Sequence, residues 1–253
     1  MIKLKSRAEI ERMRAASAVV AEVLATLRAQ VRPGVTTAEL DAVAEDLTRR
    51  RNARPAFKGY EVAGRVFPAT VCISINDEVV HGIPSKDRVL REGDIVGLDF
   101  GVSIDGYFGD AAMTVPVGQV SPEAERLMER TEAALKAGIE AVRAGAHVAD
   151  ISGAIQDVAE VAGYSLVREF VGHGIGQRLH EEPQVPNYRT GSRGIRLKEG
   201  LVLAIEPMVN AGAAEVYVKA DGWTAATRDG SLSAHFEHSV AVTSEGPYIL
   251  TLP

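Results

Sequence analysis

Two periodicities alternate along the chain. Behind Ser6, apolar side chains recur at Ile10, Met13, Val20, Leu24 and Leu27, the three-and-four spacing of one buried helical stripe. Ser6 and Glu9 occupy the positions of a capping box, and Pro33-Gly34 stops the pattern. A second box, Thr36 with Glu39, opens a helix whose apolar face carries Leu40, Val43, Ala44 and Leu47. Residues 52–68 show no period and predict an irregular loop, and 69–76 predicts a strand. Further on the period becomes two. Residues 95–104 and 107–115 alternate on either side of Asp105-Gly106, a dipeptide that favours a two-residue hairpin turn. Ser121 before Pro122 starts a helix running to about 143, and another covers about 148–162. Strands are expected near 165–172, 201–207, 214–219 and 234–243.

The hairpin raises a question of charge. If Asp105-Gly106 sets the register, Ile104 faces Tyr107, Gly101 faces Asp110 and Asp99 faces Ala112. Asp99 and Asp110 then point to one face as diagonal neighbours, roughly 7–8 Å apart. Aspartate is depleted in strands, and two on one buried face repel unless a cation neutralises them. A polar face turned to water is the alternative.

The chain also resembles itself. Residues 31–47 match 142–158 with Val-Arg-x-Gly and a late Asp in step, and Val80-His81-Gly82-Ile83 echoes Gly172-His173-Gly174-Ile175. Gly93 precedes Asp99 by the spacing at which Gly200 precedes Glu206. Each half thus supplies a His-Gly-Ile followed by a strand bearing an acid, with a second acid later: Asp110 in the first half, Glu237 in the second. The expectation is an α/β (α+β) fold with pseudo-twofold symmetry, a curved antiparallel sheet backed by helices. It would form a single domain of two similar halves, about 1–116 and 117–253, with the acids and histidines meeting at the join.

Composition narrows the class. With 253 residues, 46% hydrophobic and 25% charged, the chain is an ordinary globular one. A net charge of −6 argues against a nucleic-acid partner, and DNA is not expected. Arg49-Arg50-Arg51 with Arg54 is a local exception, either complementing a helix dipole or making a transient contact with RNA or the ribosome. One cysteine, Cys72, excludes an internal disulfide and fits a reducing compartment. A charged start without an apolar h-region, and no run approaching the ~20 apolar residues of a membrane span, point to a cytoplasmic protein.

The candidate chemistry gathers on Asp99, Asp110, His173, Glu206 and Glu237, with His81 and His180 nearby. Four carboxylates in a low-dielectric cleft are prohibitive without compensating cations, and two divalent ions supply equal and opposite charge. Oxygen-rich ligation with one imidazole suits Mn, Fe(II), Co or Zn. Two such ions roughly 3.5–4 Å apart can acidify a shared water and polarise a carbonyl, the basis of metal-assisted hydrolysis. The glycines around His173 would let backbone approach a ligand or ion closely. His235 and His238, flanking Glu237, are expected to pack around the ligands, and His147 to lie at the surface near a helix start.

These residues resemble the type I methionine aminopeptidases of the M24 metallopeptidases, over about residues 4–250. The matching segments are Cys72–Asn76, His81–Pro84, Asp99–Gly101, Asp105–Asp110, Gly172–Gly176, His180–Val185, Ile205–Val209 and Ser233–His238. The resemblance implies the duplicated "pita-bread" fold, and removal of the N-terminal methionine from nascent chains when the second residue is small. It implies that Asp99 chelates one metal, Asp110 and Glu237 bridge both, and His173 with Glu206 hold the other. Glu206 would shuttle the proton, and His81 and His180 would stabilise the tetrahedral intermediate. Tyr60, Phe67, Cys72 and Trp223 would line the methionine pocket, Asn76 and Ser233 would mark a monovalent-cation site, and the enzyme would be a monomer. Two departures bear on the pocket: the segment between Tyr60 and Cys72 is longer than in the family, and Leu179 replaces an aromatic residue. Lacking a cysteine-rich zinc extension, the chain resembles the short bacterial form. Proline-specific aminopeptidases of the same fold are the nearest alternative, and a non-catalytic partner-binding protein of that fold is the other.

Overall fold

The computed structural model describes residues 2–252. Both capping boxes close. The Ser6 hydroxyl accepts from the Glu9 amide while the Glu9 carboxylate accepts from the Ser6 amide at 2.8 Å, starting α1 (Arg7–Gln30). Thr36 and Glu39 do the same for α2 (Thr37–Arg50). The arginines that follow are partnered locally. Arg49 and Arg50 reach Asp46 at 2.6 Å and Arg51 reaches Glu22, all three with exposed side chains.

Residues 52–68, expected to be irregular, contain strand β1 (Arg54–Pro55) and a hairpin of β2 (Glu61–Val62) and β3 (Arg65–Val66). Strands β4 (Cys72–Ile75) and β5 (Glu78–Val80) follow. The long hairpin is β6 (Ile95–Ile104) and β7 (Tyr107–Pro116), and its register is the one Asp105-Gly106 dictates. Both turn residues have positive φ, 49° and 78°, as a type I′ turn demands.

After β7 the chain again runs through two helices and then strands. Helices α3 (Pro122–Glu140) and α4 (Val148–Val161) precede β8 (Ser165–Leu166), β9 (Gly172–Gly174), β10 (Glu181–Val185), β11 (Val202–Ile205) and β12 (Met208–Asn210). Strands β13 (Val216–Val218), β14 (Ala225–Thr227), β15 (Ser233–His235), β16 (Glu237–Thr243) and β17 (Gly246–Ile249) complete the chain. The stretch 234–243 is therefore two strands rather than one. The chain changes sheets at Phe236: β15 pairs with β12, whereas β16 pairs with β11 and β7.

The main sheet runs β1-β6-β7-β16-β11-β9-β10, with β4 added beside β6 and β17 beside β16. The halves join where β7 meets β16, Ala112 opposite Glu237 and Ala111 opposite His238. Each half has its own core. Leu24, Leu27, Leu40, Leu98 and Phe100 pack between the first helix pair and the sheet, and Leu127, Ile151, Ile155, Leu203 and Val240 between the second pair and the sheet. Burial at roughly 25 cal/mol per Å² makes these two helix-backed cores the main source of stability. They also leave the opposite face of the sheet for polar groups.

Candidate metal centre

Register builds the site. Cys72 lies opposite Asp99, Asp99 opposite Ala112, and Ala112 opposite Glu237, so one row of paired residues crosses four strands. Asp110 stands two residues from Ala112 on the same face, and Glu206 follows Ile205, the partner of His238. His173 enters from β9, opposite Ala204. Ligand atoms of Asp110, His173 and Glu237 all lie within 4.8 Å of one another, and His173 Nε2 approaches Glu206 Oε1 at 3.5 Å. Asp110 Oδ1 and Glu237 Oε1 are buried without a hydrogen-bond partner. Unpartnered carboxylate oxygens in a buried cluster fit the donor set of a cation.

The electrostatics say the same. Burial raises Asp99 to about 7. Burial, with the charges of neighbouring carboxylates, pushes Asp110, Glu206 and Glu237 well above the usual carboxylate range. Two carboxylates about 5 Å apart repel by roughly 3 kcal/mol even at an effective dielectric of 20. The imidazoles move the other way: burial lowers His173 to about 3 and His81 to about 4. Both directions favour the uncharged forms, and a divalent ion bound among the carboxyls would favour their ionisation instead.

The glycines flanking His173 work differently from the sequence expectation. A Cβ at Gly172 would strike the Ala204 carbonyl and one at Gly174 the Glu182 carbonyl, so they admit the neighbouring strands rather than a ligand. Their effect is to bury His173 within the sheet. The His173 Nδ1 atom meets the Gly174 carbonyl at 2.9 Å, leaving Nε2 for the cluster.

A cavity of about 520 Å³ opens over this wall. Tyr60, Phe67, Cys72, His81, His180 and Trp223 all border it, so the structure brings together every expected substrate residue. Phe67 and Trp223 meet edge to face at 5.3 Å, and the Tyr60 hydroxyl lies 2.7 Å from His180 Nδ1. His81 has φ 61°, a left-handed conformation that costs of order 1–3 kcal/mol outside glycine. Leu179 is buried and contributes to the cavity wall. Asn76 and Ser233 lie apart, joined by Ser233 N donating to the Asn76 carbonyl at 2.9 Å.

Sequence reasoning missed Phe57, Val62, Phe170 and Met208, which also line the cavity. Val62 reaches the cavity from the β2–β3 hairpin, in a stretch the sequence expectation left irregular. His235 was placed near the ligands by its position alone. It is buried with Nε2 3.7 Å from Glu206 Oε2 and without a hydrogen bond. Asn187, unremarked in the sequence, donates from Nδ2 to the Glu206 carbonyl at 3.0 Å.

The pattern of metallopeptidase family M24 matches residues 11–244. The chain belongs to that family, among its methionine aminopeptidases. The methionine aminopeptidase of Clostridium acetobutylicum is 50% identical over 252 residues, covering 100% of this chain and 99% of that protein. That of Aquifex aeolicus is 49% identical, with 99% and 98% covered. The crystal structure of the Thermotoga maritima methionine aminopeptidase superposes with a TM-score of 0.96 at 42% identity, each chain covered completely. Prolidase from Pyrococcus furiosus shares the fold at 23% identity and a TM-score of 0.78, and this chain spans only 65% of it. The enzyme is thus a metallo-exopeptidase of the short type I form, built on the pita-bread fold that the family resemblance implied.

Proposed function

We propose that this enzyme removes the N-terminal methionine from peptides and nascent chains with a small second residue, using two divalent cations drawn from Co, Mn, Fe(II) or Zn. The observation that carries the proposal is the buried convergence of Asp110, His173 and Glu237 within 4.8 Å, with oxygens that no protein donor satisfies. Asp99 would hold one ion, Asp110 and Glu237 both, and His173 with Glu206 the other. When bound, the ions offset the carboxylate charge, acidify water and polarise the scissile carbonyl.

The protein's own groups supply the remainder. The Glu206 carboxyl, raised by burial and its neighbours' charge, is suited to take a proton and return it to the leaving amine. His81 and His180 border the same cavity as neutral imidazoles and would donate to the scissile amide and its oxygen. Tyr60, Phe67, Cys72 and Trp223 form one apolar cluster that would enclose the methionine side chain and exclude water. The whole chain would act as one catalytic domain, as a monomer in the cytoplasm and in transient contact with the ribosome.

Hydrolysis of Met-Ala-Ser by protein supplemented with Mn(II) tests the reading. Release of free methionine, abolished by Asp110→Ala and by Glu237→Ala in folded protein, is expected. Cleavage of Xaa-Pro peptides alone, or full turnover by either variant, would overturn it.

A further inference from the structure

The two neighbouring histidines of the cavity wall have different partners at the same ring atom. His173 Nδ1 lies 2.9 Å from the Gly174 carbonyl, which can only accept, so Nδ1 carries the hydrogen and Nε2 is the bare nitrogen. His180 Nδ1 lies 2.7 Å from the Tyr60 hydroxyl. A phenol is the stronger hydrogen-bond donor of that pair, and an unprotonated imidazole nitrogen the stronger acceptor. The hydroxyl therefore donates, Nδ1 is bare, and Nε2 carries the hydrogen. The His180 ring is held on both sides, at 4.4 Å centroid distance from His173 and 5.3 Å from Tyr60, edge to face in each case.

We infer that Tyr60 is a positioning residue, whose hydroxyl fixes His180 in the tautomer opposite to that of His173 and so makes it a hydrogen-bond donor. The pair divides the work: one imidazole presents a lone pair, as a metal ligand must, and the other presents an N–H, as a group stabilising a carbonyl oxygen must. Without the phenol, His180 Nδ1 can carry the hydrogen, leaving a bare Nε2 that would repel the oxygen it should bind. The assignment rests on the proposed function for its catalytic meaning. The tautomers themselves do not depend on it.

The test is Tyr60→Phe, which keeps the aromatic wall and removes only the hydroxyl. Nitrogen NMR of histidine-labelled full-length protein with zinc(II) added should show His180 protonated at Nε2 and His173 at Nδ1. In the variant the His180 signals should move toward a tautomer mixture while those of His173 stay. For Met-Ala-Ser, kcat should fall by roughly tenfold or more, the scale on which partners of functional imidazoles act, with KM changed by less than about threefold. A purely apolar role for Tyr60 would leave kcat intact. That result, or a wild-type His180 protonated at Nδ1, would overturn the inference. If the wild type fails to cleave Met-Ala-Ser, the proposed function falls, while the spectra still decide the tautomer.

Discussion

Replacing Asp99 by Asn in metal-stripped protein should stabilise it, and only at neutral to alkaline pH. Asp99 faces Ala112 in the row that ends at Glu237, and burial raises its carboxyl from 3.8 to about 7. At about 1.4 kcal/mol per pH unit, ionising it in the folded protein costs roughly 4 kcal/mol more than in the unfolded chain. Below the unfolded value both states are protonated and nothing is lost. Between there and the folded value, the unfolded chain releases its proton first, so stability falls as pH rises. Above about 7 the whole cost is present. Asparagine keeps the shape and removes the charge. Allowing for relaxation of the remaining carboxyls, the variant should gain roughly 2–4 kcal/mol at pH about 8 and almost nothing at pH about 4. For a chain of this size that gain raises Tm by roughly 5–15 °C. Urea titrations of both chelator-treated proteins across this pH range measure it. Mn(II) should close the gap, since a ligand at a thousand times its Kd adds about 4.1 kcal/mol to the protein that binds it. A difference that does not vary with pH, or an Asn variant less stable at alkaline pH, would refute the charge-cluster reasoning.

Two further outcomes follow from packing. Gly109→Ala would place a Cβ 2.7 Å from the Ser17 amide nitrogen and hydroxyl on α1, and should lower the urea midpoint by the equivalent of about 1–3 kcal/mol. Lys5 and Glu181 form an ion pair at 2.7 Å with side chains only 4% and 6% exposed, tying the N-terminal segment to the loop that carries His180. Burial would raise Glu181, but hydrogen bonding and charge from Lys5 outweigh it and hold the carboxyl below its usual range. The contribution of the pair is therefore present at neutral pH and lost as pH falls through that depressed value. Lys5→Met should cost roughly 3–5 kcal/mol at neutral pH, with a deficit that shrinks in acid as Glu181 takes up a proton. Chemical denaturation at both pH values checks this.

Much of this molecule was legible from local sequence because the deciding interactions are local. Capping boxes at Ser6 and Thr36 span four residues, and a two-residue turn at Asp105-Gly106 sets the register of twenty more. Once that register is set, Asp99 and Asp110 must share a face. The need for cations followed from counting carboxylates, since charge repulsion requires no coordinates. Tertiary structure alone decided the rest. Strands of two or three residues, such as β1, β8 and β12, carry too few alternations to announce themselves and exist because a distant strand pairs with them. The break at Phe236, which lets β15 and Glu237 belong to different sheets, is set by partners in β12 and β7 far away in the chain. The glycines around His173 and the hydroxyl of Tyr60 likewise acquire their roles from atoms on other elements. Sequence period records which side of an element is buried. Only packing records what that side meets.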